Sequence, residues 1–269
     1  MLKIREAHLY GKLKKDLDDA DSKVNALPSY QIMVAEAGVM WDKKSDKIFK
    51  DIRLLLESMC IGARRCAYCE DSVADEIEHI YPKKFYPELT FKWRNYLFAC
   101  GQCNGSIKRD QFAIFSAAGG VVDLKRGKNA PVVPPPAGSI VFLDPRVDNP
   151  SSIIELDPQT GLFVPLAKKG TPDYIRAEYT LKILGLNTRD YLSKARRNVY
   201  GFYVDAINAY IQQKKSAASK LALNKKMNQI KDGAHQSVFL EIGRLSSTNQ
   251  LDPHFWTDAR ELWDEYAPF

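Results

Sequence analysis

Two Cys-x2-Cys pairs, Cys66/Cys69 and Cys100/Cys103, constrain this chain more than any other feature. Four thiolates in two pairs about thirty residues apart can converge tetrahedrally on one zinc, a closed arrangement that leaves no open position for substrate. Such a zinc is structural. Redox use of either pair is the alternative, but one pair suffices for that chemistry and the second is then unexplained. With four of its five cysteines in these pairs, the chain suits a reducing compartment and a metal site better than a disulfide framework. Cys60 stands apart, closes an apolar helical stripe, and reads as a small buried hydrophobe.

Between and just beyond the pairs lie Glu78-His79, Asn95 and Asn104. The run 77–81 (IEHIY) reads as a strand ended by Pro82, and 96–99 (YLFA) as a second strand leading into Cys100. The run NGSIKRDQFAIF after Cys103 reads as the start of a helix with Asn104 near its N-cap. The unit is therefore strand, loop, strand, helix. Glu78 and Asn104 offer hard oxygen ligands suited to Mg²⁺ or Mn²⁺ rather than zinc, and phosphate with water can complete the shell. A neutral His79 imidazole can take a proton from water, which points to phosphodiester hydrolysis. Adjacent strand residues face opposite ways, so Glu78 and His79 can share a site only where the strand bends. Read singly, His79 is a structural histidine and Asn104 a helix cap. His8, His235 and His254 sit in helical surroundings without such companions and read as structural or exposed.

The net charge of +6 is weak as a signal, but its distribution is not. Lys83, Lys84, Lys92, Arg94, Lys108 and Arg109 follow an acidic cluster of Glu70, Asp71, Asp75, Glu76 and Glu78. A metal site facing a phosphate backbone needs that juxtaposition, and the six cations are the candidate nucleic-acid contacts. A solvated loop carries a similar pattern. No apolar run approaches the length of a membrane span, and the first residues lack the apolar core of a secretion signal, so a cytoplasmic protein with no membrane partner is expected.

The rest of the chain reads as support, and the expected fold class is α+β: mainly helical, carrying the strand-loop-strand-helix finger and a small β-hairpin subdomain. Residues 1–60 form a helical N-terminal segment, with Ile48, Ile52, Leu55, Leu56 and Met59 at helical spacing and a break at Leu27-Pro28-Ser29. The finger occupies 61–115. Residues 116–170 are a loop-rich connector, with Pro134-Pro135-Pro136 as a stiff spacer, a short strand in SIVFLDP, and a hairpin turned at 158–161. The C-terminal region, 171–269, opens on the N-cap signal Thr171-Pro172-Asp173 and closes its first helix at Gly185. A longer helix starts at Thr188. There Leu192, Ala195, Val199, Phe202, Ala206 and Tyr210 form the expected buried face, with Lys194, Arg196 and Arg197 off it. An aromatic helix beginning at Asp252-Pro253 docks Trp256, Leu262 and Trp263.

At the cysteine-bracketed residues the sequence resembles the HNH endonuclease family, whose ββα-metal finger is often braced by two such pairs. The acid-His step matches Glu78-His79 with Pro82 three residues on, the middle Asn matches Asn95, and the final His or Asn matches Asn104. The resemblance implies that His79 is the general base, that Glu78 and Asn104 hold the catalytic metal, and that Asn95 braces the loop between the strands. Lys108, one helical turn after Asn104, is implied to lie toward the bound phosphate. Asp is commoner than Glu at the metal position, and Asn here replaces a final His. Downstream, LDPRVDNPSSIIELDPQTG and LKILGLNTRDYLSKARR are similar to HNH proteins of Septu (PtuB-like) and retron-associated antiphage systems, which resemble effectors working beside an ATPase partner. The implied function is metal-dependent cleavage of DNA in defence. The alternatives are an RNA-directed nuclease and a non-catalytic zinc-stabilised module that binds nucleic acid or a protein.

Overall fold

The computed structural model describes residues 1–266. After an extended start that buries Met1, Leu2 and Ile4, three helices follow: α1 (Gly11–Asn25), α2 (Tyr30–Asp42) and α3 (Asp46–Ser58). The Leu27-Pro28-Ser29 break separates α1 from α2, and Ser29 caps α2 by accepting the Ile32 N–H. The α3 stripe buries Phe49, Ile52 and Leu56. Cys60, at its end, is half-buried rather than buried; desolvation raises its thiol to about 11, and it donates to the Leu56 carbonyl at 3.6 Å.

The finger is a two-stranded antiparallel sheet of β1 (Glu76–His79) and β2 (Tyr96–Ala99), with Glu78 opposite Leu97 and His79 opposite Tyr96. The helix expected after Cys103 is much shorter than the sequence run. It is a seven-residue π-type segment, Gln102–Lys108, stopped by Arg109 at φ +51°. Asn104 lies inside this segment, not at its cap, and its N–H donates to the Cys100 carbonyl at 3.0 Å. The residues read as its continuation instead form β3 (Ala113–Ser116). β3 is central in a three-stranded antiparallel sheet, between β4 (Val121–Asp123) and β5 (Gly138–Ile140). Ile114 and Phe115 find cross-strand partners on both sides, and pairing with sequence-distant strands overrides the local helical reading. The connector thus carries more sheet than its composition predicted.

The expected hairpin is present as β6 (Ile154–Asp157) and β7 (Leu162–Pro165), with Gly161 at φ +70° in the turn. The closing helices are α4 (Pro172–Ile183), α5 (Asp190–Lys215), α6 (Lys220–Lys231), α7 (Gln236–Ser247) and α8 (His254–Ala259). Thr171 caps α4 by accepting the Tyr174 N–H, and Gly185 at φ +58° follows it. The buried face of α5 is rotated from the expected one: Leu192, Arg196, Tyr203, Ile207, Tyr210 and Ile211 point inward, whereas Phe202 is 71% exposed. Arg196 tolerates burial because its guanidinium donates to the Leu186 and Leu192 carbonyls and lies 4.4 Å from the Phe163 ring centroid. Leu262 and Trp263 dock as expected and Trp256 is half-buried; the last three residues read into that aromatic helix lie outside the described ones. Among the described residues no helix is long and apolar enough to cross a membrane.

One apolar core joins the N-terminal helices, the cysteine segment, the finger sheet and α4–α8, and a small satellite of Phe85, Phe112, Ile114 and Leu124 lies under the β3 sheet. The mixed α+β class is the one the sequence predicts, with short antiparallel sheets set among helices around a buried four-cysteine cluster.

Candidate functional site

Cys66 and Cys69 lie on the turns before β1, and Cys100 directly after β2 with Cys103 at the start of the π-type segment that follows. The antiparallel pairing brings those stretches together, so pairs distant in sequence become neighbours. All four Sγ atoms are buried and lie within 4.8 Å of one another, with Cys69 and Cys100 at 3.9 Å. A tetrahedron with Zn–S bonds of about 2.3 Å has S···S edges of about 3.8 Å, so the cluster has the dimensions of a closed zinc site. Each pair forms a knuckle: the Tyr68 N–H points to Cys66 Sγ and the Cys103 N–H to Cys100 Sγ, both at 3.5 Å. Arg189, at the entrance to α5, sets both terminal guanidinium nitrogens 3.5 Å from Cys103 Sγ. With a divalent ion held by the four thiolates, that charge would offset their excess negative charge, and no sequence signal marked Arg189 for the role.

Glu78, His79 and Asn104 line one cleft of about 510 Å³ together with Lys83, Lys84 and Arg109. Both strand neighbours border this cleft at the end of β1, although β1 pairs with β2 in unbroken register, without a bulge to re-aim either side chain. His79 is 8% exposed, wedged edge-on against Trp41 of α2 (ring centroids 4.3 Å apart) and Tyr96 of β2 (5.2 Å). Its Nε2 lies 3.0 Å from the Thr90 carbonyl oxygen. A carbonyl only accepts, so Nε2 carries the proton and Nδ1 keeps the lone pair. Burial pushes His79 down to about 3, against the raising effect of the Thr90 contact, so the ring is neutral at neutral pH.

Asn95 is buried and fully used: its Nδ2 donates to the Tyr81 and Leu89 carbonyls at 3.0 Å each, and its Oδ1 accepts the Tyr81 N–H at 2.7 Å. The side chain ties the 80–95 loop at both ends, and that loop presents the Thr90 carbonyl to His79.

The six candidate cations divide. Lys83 and Arg109 line the cleft without an ion-pair partner among the described residues, and Lys84 lines it while paired to Asp110 at 2.7 Å. Lys92 and Arg94 are elsewhere, engaged by Asp21 (2.6 Å) and Glu6 (3.1 Å) of the N-terminal segment. Lys108 departs furthest from its implied place toward a phosphate. It is fully buried, ion-paired to Glu78 Oε1, and donates to the His79 carbonyl at 3.0 Å. Glu78 and the His79 carbonyl hold it inside the protein, so it does not line the cleft.

Glu78 is 2% exposed and also accepts the Tyr68 hydroxyl at 3.2 Å on Oε1. Burial raises its carboxyl above the ordinary range, with Lys108 and Tyr68 opposing. Its Oε2 receives no hydrogen bond among the described residues. Asn104 donates Nδ2 to Glu76 Oε2 at 2.9 Å; a carboxylate only accepts, so the amide oxygen is turned away from Glu76. Glu78 Oε2 and Asn104 Oδ1 are thus hard donors of the type Mg²⁺ or Mn²⁺ takes. The sequence reading assigned no role to Glu76, Tyr68, Trp41 or Thr90. Only Glu76 left a signal, two residues before Glu78 and so on the same face of β1.

No protein-family model matches the chain. It is similar to two curated proteins described as Septu protein PtuB. One, from Bacillus mycoides (strain KBAB4), is 30% identical over 173 residues, covering 56% of this chain and 52% of the relative. The other, from Bacillus thuringiensis, is 42% identical over 59 residues, 20% of this chain and 22% of the relative. The matched parts span about half or less of the relatives' own lengths. The chain is thus a distant homologue of Septu protein PtuB over part of its length.

Proposed function

We propose that the chain is a metal-dependent HNH-type endonuclease that hydrolyses phosphodiester bonds of DNA and serves as a component of a Septu-type antiphage system, beside an ATPase partner. The defence role rests on the partial homology to Septu protein PtuB. For the chemistry, the strongest support is His79: its proton is committed to the Thr90 carbonyl and its free lone pair belongs to a ring lining a cleft with Glu78, Asn104 and two unpaired cations.

In this reading Nδ1 of His79 takes the proton of a water attacking phosphorus, while Lys83 and Arg109 hold the flanking phosphate charge. Glu78 and Asn104 would hold Mg²⁺ or Mn²⁺, which offsets charge on the phosphate and the departing oxygen. The four cysteines hold zinc and fix the turn from which Asn104 projects.

The test is incubation with supercoiled plasmid, linear DNA and RNA, with each divalent metal, beside His79→Ala. Cleavage should fall by about 10²–10⁴-fold, with zinc content unchanged. A variant that still cuts at the parent rate refutes the reading. A second reading, a zinc-stabilised module without catalysis, is favoured by the Lys108 and Tyr68 contacts that already occupy Glu78 Oε1. It predicts salt-sensitive binding, indifferent to His79→Ala, and no nicking with any metal.

A further inference from the structure

The cleft at His79 does not stand alone. A second cavity of about 570 Å³ adjoins it, and Lys84 and Asp110 line both. Their ion pair therefore forms the shared wall. The second cavity runs beneath the β3 sheet toward α4. Behind it lies the buried apolar satellite of Phe85, Phe112 and Leu124, and one side is the half-buried ring of Tyr179, the partly open aromatic ring of the lining. Lys125, just past β4, and Lys182, near the end of α4, are exposed on its rim, and neither has an ion-pair partner among the described residues.

Arg126 also lines the cavity but is occupied. It donates to the Lys84 carbonyl (2.7 Å), the Tyr30 hydroxyl (2.8 Å) and the Val133 carbonyl (3.0 Å). It thereby ties α2 and the proline-rich connector to the wall between the cavities. Of the carboxylates in the lining, Asp110 is paired with Lys84 and Asp123 has no ion-pair partner among the described residues, so with Lys125, Arg126 and Lys182 the rim is net positive. A partly open aromatic ring, Tyr179, beside unpaired lysines is the combination by which proteins hold single-stranded nucleic acid, a base on the ring and phosphates on the cations. An acidic peptide would use the lysines, but it would have no use for continuity with a phosphodiester-cutting cleft.

We propose that this second cavity is a binding site for an unpaired segment of the nucleic-acid strand, one to a few nucleotides from the phosphate held at His79, with Lys125 and Lys182 on its phosphates and the Tyr179 ring against a base. The proposal rests on the nuclease reading only for its account of the adjoining cleft; the binding itself is measurable without cleavage.

The experiment is fluorescence anisotropy with labelled single-stranded DNA, single-stranded RNA and duplex DNA across a salt series. It uses the His79→Ala protein with and without Lys125→Glu/Lys182→Glu. A charge-matched control, Lys225→Glu/Lys226→Glu, lies on α6, which packs on α5 and lines neither cavity. Loss of two phosphate contacts should lower the single-strand salt slope by about 1.4 and weaken single-strand binding about ten-fold at low salt, with the control near the parent. Unchanged affinity and slope overturn the proposal, as does an equal loss in the control or the absence of oligonucleotide binding by the parent. In the His79-containing protein the same pair should raise KM with kcat nearly unchanged. Binding that depends on Lys125 and Lys182 without cutting under any metal would leave this proposal standing and remove the nuclease reading; cutting indifferent to the pair would do the reverse.

Discussion

The four-cysteine cluster and the His79 cleft share the same two strands, yet they are built in opposite ways. The cluster is closed and almost entirely local: two knuckles, each made by a few consecutive residues, joined by one strand pairing. The cleft is assembled from afar. Trp41 comes from α2, the Thr90 carbonyl from a loop tied by Asn95, and Glu76 from the exposed start of β1. A local site should fail all at once when its ion is lost, whereas an assembled site should degrade by degrees as each distant contact is removed.

The largest effect expected follows from that contrast. If the four cysteines hold zinc, stripping it with a strong chelator, or replacing Cys100 by Ser, should remove stability on the order of 10 kcal/mol, the scale of zinc binding to small modules. Because the cysteine segment shares the main core with the N- and C-terminal helices, the loss should spread well beyond the finger. Calorimetry with zinc quantification checks this. A variant lacking zinc but melting with the parent would break the comparison.

The second effect belongs to the cleft. Trp41 is 9% exposed and meets Phe49, Phe91 and Tyr96 as well as His79. Trp41→Ala should cost about 3–5 kcal/mol and admit water to the imidazole. Burial is what holds His79 down at about 3, so relieving it should move the ring upward toward its ordinary value near 6.5. NMR titration of His79 should show that rise. An unmoved His79 would mean that the helix packs on the site without setting its environment.

The same contrast explains what the chain discloses before it folds. Ligand spacing, the Thr171 cap, the Pro28 break and the 158–161 hairpin turn are decided within a few residues, and each reads directly. The failures are all decided elsewhere. Residues 113–116 belong to β3 because Val122 and Ile140 are there to pair with Ile114. Lys108 is buried because Glu78 and the His79 carbonyl lie within its reach, and Arg196 because two carbonyls and Phe163 receive it. The charge pattern offered six cations as equivalent, and the tertiary positions of Asp21, Glu6, Glu78 and Asp110 separate them.

Glu76 provides the smallest and most discriminating test. Its carboxylate holds the Asn104 amide in one orientation and lies close over Gly101, where a Cβ would approach Oε1 to 3.0 Å. Glu76→Gln keeps the size but presents an amide that can donate or accept, so Asn104 is free to flip and offer nitrogen in place of oxygen. If Asn104 ligates the catalytic cation, Mn²⁺ affinity measured by calorimetry or electron paramagnetic resonance should weaken by about 10-fold, the lower end for loss of an outer-shell partner. Zinc content and melting temperature should stay near the parent, since Glu76 is exposed and its side chain hydrogen-bonds Asn104 rather than a cysteine among the described residues. Equal Mn²⁺ affinity in the two proteins would remove Asn104 from the ligand set and leave the cleft to Glu78 and His79. A fall in zinc content instead would mean that the two sites are coupled through Gly101 and Asn104, and that the local and the assembled centres are one unit.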